Sequence, residues 1–206
     1  MKSMIALMAV TAGLTSGCSL LSPADPPKTA FDFGPFEESH VVLTGMSQPL
    51  VVREITAPAW VNDSSMYYRL MYANPDNPLP YSKSAWLIRP TELLTQRLQA
   101  QLSPDIAHES DRDAATGYVL SGELLEFEQV FEAPMRSSGV LRLRATVEEG
   151  ERSVERTFTV TQVAPTPDAR GGVTALIRCV DVLAQEISEW VSTKPSDAPQ
   201  IAKAPT

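Results

Sequence analysis

The chain has 206 residues, 43% of them hydrophobic, with 17 basic against 25 acidic side chains and a formal charge of −8 at neutral pH. That length bounds one domain with flexible ends, large enough to bury a real core. The acidic balance argues against nucleic acid or anionic headgroups as ligands.

The N-terminus is the most informative segment. Lys2 supplies a basic start, residues 4–14 form an apolar run too short to span a bilayer, and Thr15-Ser16-Gly17 places small residues directly before Cys18. This is the pattern of a bacterial lipoprotein signal peptide, with Thr15 where Leu is usual. Residues 1–17 are expected to be removed and Cys18 to become a lipidated N-terminus. At about 0.8 kcal/mol per buried methylene, several acyl chains hold a soluble body on a membrane without a spanning segment. Ser19 stands where lipoproteins retained at the inner membrane often carry Asp. In a Gram-negative envelope this favours the periplasmic face of the outer membrane. The mature chain then has 189 residues and, losing only Lys2 among charged groups, a net charge of about −9.

Residues 18–30 hold Pro23, Pro26 and Pro27 and read as a tether that forms no helix and has little to bury. The body is expected over residues 31–193. Residues 50–55 and 66–72 are β-rich and end at Ala57-Pro58 and Asn74-Pro75, which predicts two strands. Pro90 suits a first helical position, and Leu94, Leu98 and Leu102 then form one stripe of an amphipathic helix. Residues 117–130, 139–148 and 152–163 alternate as strands do, and short connections make them antiparallel neighbours. Glu148-Glu149-Gly150-Glu151 is a tight hairpin turn, and residues 134–139 read as a looser one in which Gly139 could supply positive φ. Residues 173–191 repeat apolar positions at helical spacing over five turns, one broad face for the sheet. Residues 194–206 are Pro-rich and read as a disordered tail.

Chemistry-bearing motifs are missing. His40 and His108 lie far apart, with no cysteine at ligand spacing, and there is no phosphate loop, nucleophile elbow or zinc-protease motif. The sequence therefore predicts neither an enzyme nor a metal or cofactor site. With Cys18 lipidated, Cys179 has no disulfide partner; its place in an apolar helix reads as a small buried hydrophobe. Glu123, Glu126, Glu128 and Glu132 read as a solvated sheet face rather than a calcium site or an acid–base pair. Aromatic residues crowd the stretch between Ala57 and Pro90, where Trp60, Tyr67, Tyr68 and Trp86 are candidates for a partner surface or an apolar ligand groove. The alternative for Trp86 is core packing that staples the following helix. On a strand, at least one of Tyr67 and Tyr68 must face outward.

Several stretches, in order and spacing, resemble the ABC-type transport auxiliary lipoprotein family, which includes the lipoprotein of the paraquat-inducible operon and accessory lipoproteins of mammalian-cell-entry (MCE) lipid transporters. They are Phe31-Asp32-Phe33-Gly34-Pro35, Ala57-Pro58-Ala59-Trp60, Met66-Tyr67-Tyr68-Arg69-Leu70, Ser84-Ala85-Trp86, Leu125-Glu126-Phe127-Glu128-Gln129-Val130-Phe131 before Pro134, and Gly171-Gly172-Val173 with Trp190. The resemblance spans residues 31–191. It implies a three-layer α/β single domain with a mixed, largely antiparallel sheet flanked by helices. It also implies a non-enzymatic periplasmic role beside an MCE-domain protein and an ABC permease and ATPase, supporting lipid transport between the membranes and envelope integrity. A phospholipid ligand and a homo-oligomer matching a ring-shaped partner fit that role. The competing readings are a structural or assembly lipoprotein of the outer membrane and a stand-alone periplasmic lipid carrier.

Overall fold

The computed structural model describes residues 27–35, 50–102 and 117–193. The signal peptide, Cys18, most of the tether, both histidines and the tail lie outside them. In chain order the elements are β1 (Thr29–Phe31), β2 (Leu50–Thr56), β3 (Ser65–Leu70), β4 (Asn74–Trp86), α1 (Pro90–Leu102), β5 (Tyr118–Ala133), β6 (Arg136–Glu149), β7 (Arg152–Val163) and α2 (Ala169–Ser192).

Strand β5 organises the sheet. One of its edges pairs antiparallel with β6 over almost the whole length, and β6 pairs antiparallel with β7. Its other edge takes two short strands in line: β2 parallel to residues 118–123, then β3 parallel to residues 128–131. Between them the chain leaves the sheet over residues 57–64, opposite a register shift in β5 between Leu124 and Glu126. Strand β4 lies antiparallel outside β3, and β1 parallel outside β4, giving the order β1-β4-β3-β5-β6-β7 with β2 beside β5. The sheet is mixed and its longest ladders are antiparallel, as the sequence predicts.

Alternation sorts the faces. Leu141, Leu143, Ala145 and Val147 of β6 are buried, as are Leu120, Leu124 and Phe127 of β5. These meet Leu176, Val180, Leu183 and Ile187 of α2 in one continuous core. Helix α1 covers β2 and touches α2 through Arg97, whose Nη2 lies 2.9 Å from Asp181 Oδ1. Both helices therefore lie on the same face. The opposite face carries Arg142 and Arg144, exposed on β6. Among the described residues the expected α/β single domain, a mixed sheet flanked by two helices, holds.

Local details differ from the sequence reading at informative places. Strand β1 includes Thr29 and Ala30, the last residues of the stretch read as tether. Strand β4 occupies a Pro-containing stretch for which the sequence predicts no element, and its register jumps between Leu79 and Asn74, so Pro75 and Pro78 fall where β3 pairing is irregular. The β5–β6 turn is confined to residues 134–135, and Gly139 lies inside β6. A Cβ there would meet Leu176 N at 2.9 Å and the carbonyl carbon of Ala175 at 3.0 Å, so close helix approach, not turn geometry, demands this glycine. Gly150, at φ +60°, does serve its turn. Helix α2 begins four residues before Val173, where Asp168 caps it by accepting from Gly171 N at 2.8 Å.

Candidate functional site

The four aromatic candidates do not form one site. Trp86, carried inward at the end of β4, is 2% exposed and packs against Phe127 at 5.4 Å and Phe33 at 5.8 Å between ring centroids. It belongs to the core and has no surface to offer a partner. Trp60, in the excursion between β2 and β3, is 47% exposed. A turn places it there: Val61 N and Asn62 N both donate to Pro58 O.

Tyr67 and Tyr68 point to opposite faces, as neighbours on a strand must. Tyr67 is on the helix-free face, where its hydroxyl donates to Asp63 Oδ2 at 3.0 Å; burial and that carboxylate raise its pKa. Tyr68 lies on the helix face, 4.7 Å from Tyr81 and 6.0 Å from Phe131 between ring centroids. The Tyr81 hydroxyl donates to Gln129 Oε1, and Gln129 Nε2 donates to Ser137 Oγ, both at 2.8 Å. Burial raises the Tyr81 pKa, with the Tyr68 and Asp168 charges adding to it. Gln129 sits directly under Gly172, whose missing Cβ leaves its amide room. This polar chain ties three strands to the start of α2 and is structural in character.

The acidic cluster is a set of ion pairs. Glu123 meets Arg144 at 2.9 Å, Glu126 meets Arg142 at 2.6 Å and Glu132 approaches Arg136 at 3.9 Å, on the open face or at its end. Glu128 is different: its side chain is 1% exposed, and Oε1 accepts from Arg69 Nε at 2.7 Å while Oε2 has no hydrogen-bond partner. Burial raises its pKa, the Arg69 guanidinium opposes the rise, and Glu126 reinforces it. Among the described residues no group of three His, Cys, Asp or Glu is placed to hold a metal ion. Cys179 is fully buried, its Sγ 3.3 Å from Gly139 O, and burial pushes the thiol pKa up to about 12. Such a thiol is neither nucleophile nor ligand at neutral pH.

The surface with most capacity for binding is one end of the sheet. Met71 and Tyr72 in the β3–β4 turn, Met135 in the β5–β6 turn and Val163 at the end of β7 are all exposed, Met135 by 79% and Val163 by 70%. They neighbour one another in register: Met71 N donates to Phe131 O, Phe131 pairs with Ser137, and Ser138 pairs with Val163. Adjacent strands are about 4.8 Å apart, so the four lie along one end of the sheet, an apolar rim interrupted by the Glu132–Arg136 pair. Tyr72 falls within the aromatic stretch that the sequence marks between Ala57 and Pro90, whereas Met71, Met135 and Val163 carry no such signal. An apolar residue beside a turn gives the same sequence signal whether it packs inward or points outward.

No family model matches the chain, and no curated protein matches its sequence. Solved structures do resemble it. A Xanthomonas campestris protein assigned to the family DUF330 superposes with a TM-score of 0.61 at 18% identity, covering 82% of this chain and 94% of that one. A second protein, described as uncharacterized, gives 0.60 at 13% identity over 81% and 99% of the two chains. At these identities the likeness is one of fold.

Proposed function

We propose that the chain is a lipid-anchored accessory protein of an ABC transporter of the MCE type, which docks to the transporter's periplasmic MCE-domain protein and supports lipid movement between the inner and outer membranes. It acts by binding, without a cofactor, from the periplasmic face of the outer membrane. The observation that carries the reading is the fold shared along most of the chain with a DUF330 protein, a family label that covers auxiliary lipoproteins of the paraquat-inducible type. The Cys18 signal and the motif series along residues 31–191 support it independently. The docking role fits a body whose aromatic and aliphatic interior is filled by packed side chains and whose apolar surplus sits on an exposed rim. Trp60 and the Met71–Met135 rim are the contact residues, and Tyr67 and Tyr68 support them from within the sheet.

The test is gentle capture of the full chain from membranes, with mass spectrometry of the Cys18 modification and of every co-purifying protein and lipid. Transporter subunits that disappear with Met71→Ser/Met135→Ser support docking through the rim. Phospholipid without those subunits points to a stand-alone carrier, and neither to a structural lipoprotein; both overturn the proposal.

A further inference from the structure

The sheet treats its edges unequally. On one side β1 spans three residues, and β4 beyond it carries Pro75, Pro78, Pro80 and Lys83, which blunt an edge. The free side of β2 is met by α1: Ile55 N donates to Thr95 Oγ1, and Gln99 Nε2 donates to Val52 O. Among the described residues strand β7 has no such guard. It is 12 residues long and pairs only with β6 among the described residues. From Thr157 to Val163 it reads TFTVTQV, without charge, proline or glycine. Uncharged β-branched and aromatic stretches of this kind on an edge recruit another strand.

The hydrogen-bond phase of the edge follows from one contact. Ala164 N donates to Ser137 O, so that pair is hydrogen-bonded, and bonded pairs alternate along an antiparallel ladder. Even-numbered residues of β7 thus turn their backbone groups to β6, and Thr157, Thr159, Thr161 and Val163 turn theirs outward.

We propose that β7 pairs antiparallel with β7 of a second copy of this chain about a twofold axis at Thr159, making one continuous sheet. The sequence suits this register. Thr159 faces its own copy, Thr157 faces Thr161, and Phe158 faces Val160, a threonine ladder on the open face and an aromatic–aliphatic pair on the helix face. Arg156 falls opposite Gln162 and Glu155 opposite Val163, so no like charges meet. In an acidic chain the uncharged run from Thr157 to Val163 lets two copies approach along it without charge repulsion, and a twofold interface requires such self-complementarity. This pairing is independent of the transporter reading: a dimer without transporter subunits, or subunits without a dimer, separates the two.

The experiment is sedimentation of the full chain in detergent, with residue-resolved amide exchange. The wild type is expected to be dimeric at about 10 μM, with slow exchange at Thr157, Thr159 and Thr161. Thr159→Lys sets like charges face to face on the solvent side and should weaken the dimer about tenfold or more while leaving each copy folded. Thr159→Pro removes an outward N–H without touching the β6 ladder and should act the same way. Thr157→Lys/Thr161→Glu sets opposite charges across the axis and should keep the dimer. A monomeric wild type overturns the proposal, as does an assembly of any size that Thr159→Lys leaves intact. Slow exchange of these amides in a monomer would put another segment of the same chain on the edge, and also overturns it.

Discussion

Replacing Gly139 by alanine probes how α2 is seated on the sheet. The added Cβ would lie 2.9 Å from Leu176 N, 3.0 Å from the carbonyl carbon of Ala175 and 3.0 Å from its Cβ. Two of these three atoms are helix backbone, so no side-chain rotation relieves the contact. Helix α2 must lift by a few tenths of an ångström, against the packing of Leu176, Val180, Leu183 and Ile187, all 2% exposed or less. Overpacking of this kind costs about 1–3 kcal/mol. Losing a glycine from the unfolded chain returns about 0.4–1 kcal/mol, leaving a net loss of about 1–2 kcal/mol. For a body of this size that lowers Tm by about 2–8 °C. Gly122→Ala is the milder control: its Cβ meets two side-chain tips most closely, Ile55 Cδ1 at 3.0 Å and Leu143 Cδ1 at 3.1 Å, and one backbone atom, Arg144 O, at the looser 3.3 Å. The control should stay within about 0.5 kcal/mol of wild type. Thermal and urea unfolding of both variants decide the matter; Gly139→Ala melting at or above Gly122→Ala would refute the account of the helix seat.

Three further outcomes follow from buried or capped groups. The folded pKa of Glu128 is raised by burial, so its contribution to stability is whole below the ordinary carboxylate range and lost as pH rises through the folded value; the stability of Glu128→Gln relative to wild type should climb with pH, and a flat difference in urea midpoints from acid to neutral pH contradicts this. Asp168 behaves with the opposite sign, since the Gly171 amide and then the Thr166 hydroxyl hold its folded pKa low: Asp168→Ala should lose about 1 kcal/mol at neutral pH, and the loss should shrink as acid protonates the wild-type cap. The Cys179 thiol, with its pKa pushed up to about 12, should resist maleimide at pH 8 until the chain unfolds in urea; rapid labelling of the native protein would show that α2 does not seal it.

Local signals carried much of this fold. The β5–β6–β7 meander and α1 lie where alternation and Pro90 place them, because each rests on a pattern within one segment. The in-line arrangement of β2 and β3 along β5 has no such pattern: parallel pairing joins residues some 60 positions apart in sequence, such as Tyr67 and Glu128. Strand β4 is hidden by prolines that an interior strand would not tolerate but a bulged outer strand does. That omission is also why Trp86 stayed open between a surface role and core packing; the pairing of β4 turns it inward against Phe127. The Glu128–Arg69 pair escaped for a similar reason. Its alternation marks a solvated face, yet Glu128 is covered there, and nothing in the order of residues distinguishes it from the more accessible Glu126, whose side chain is 19% exposed.

The direction of β1 bears on how the apolar rim would be presented. Because β1 runs parallel to β4, with Thr29 beside Ser84 and Phe31 beside Trp86, the chain enters the sheet heading away from the end where Asn74 pairs with Leu70. That end is the rim of Met71, Tyr72, Met135 and Val163. The β7 edge lies across the sheet from β1, beyond β6. The rim and the β7 edge share Val163, whereas Met71 and Met135 lie outside β7, so Met71→Ser/Met135→Ser should abolish partner capture and leave the β7 pairing unchanged.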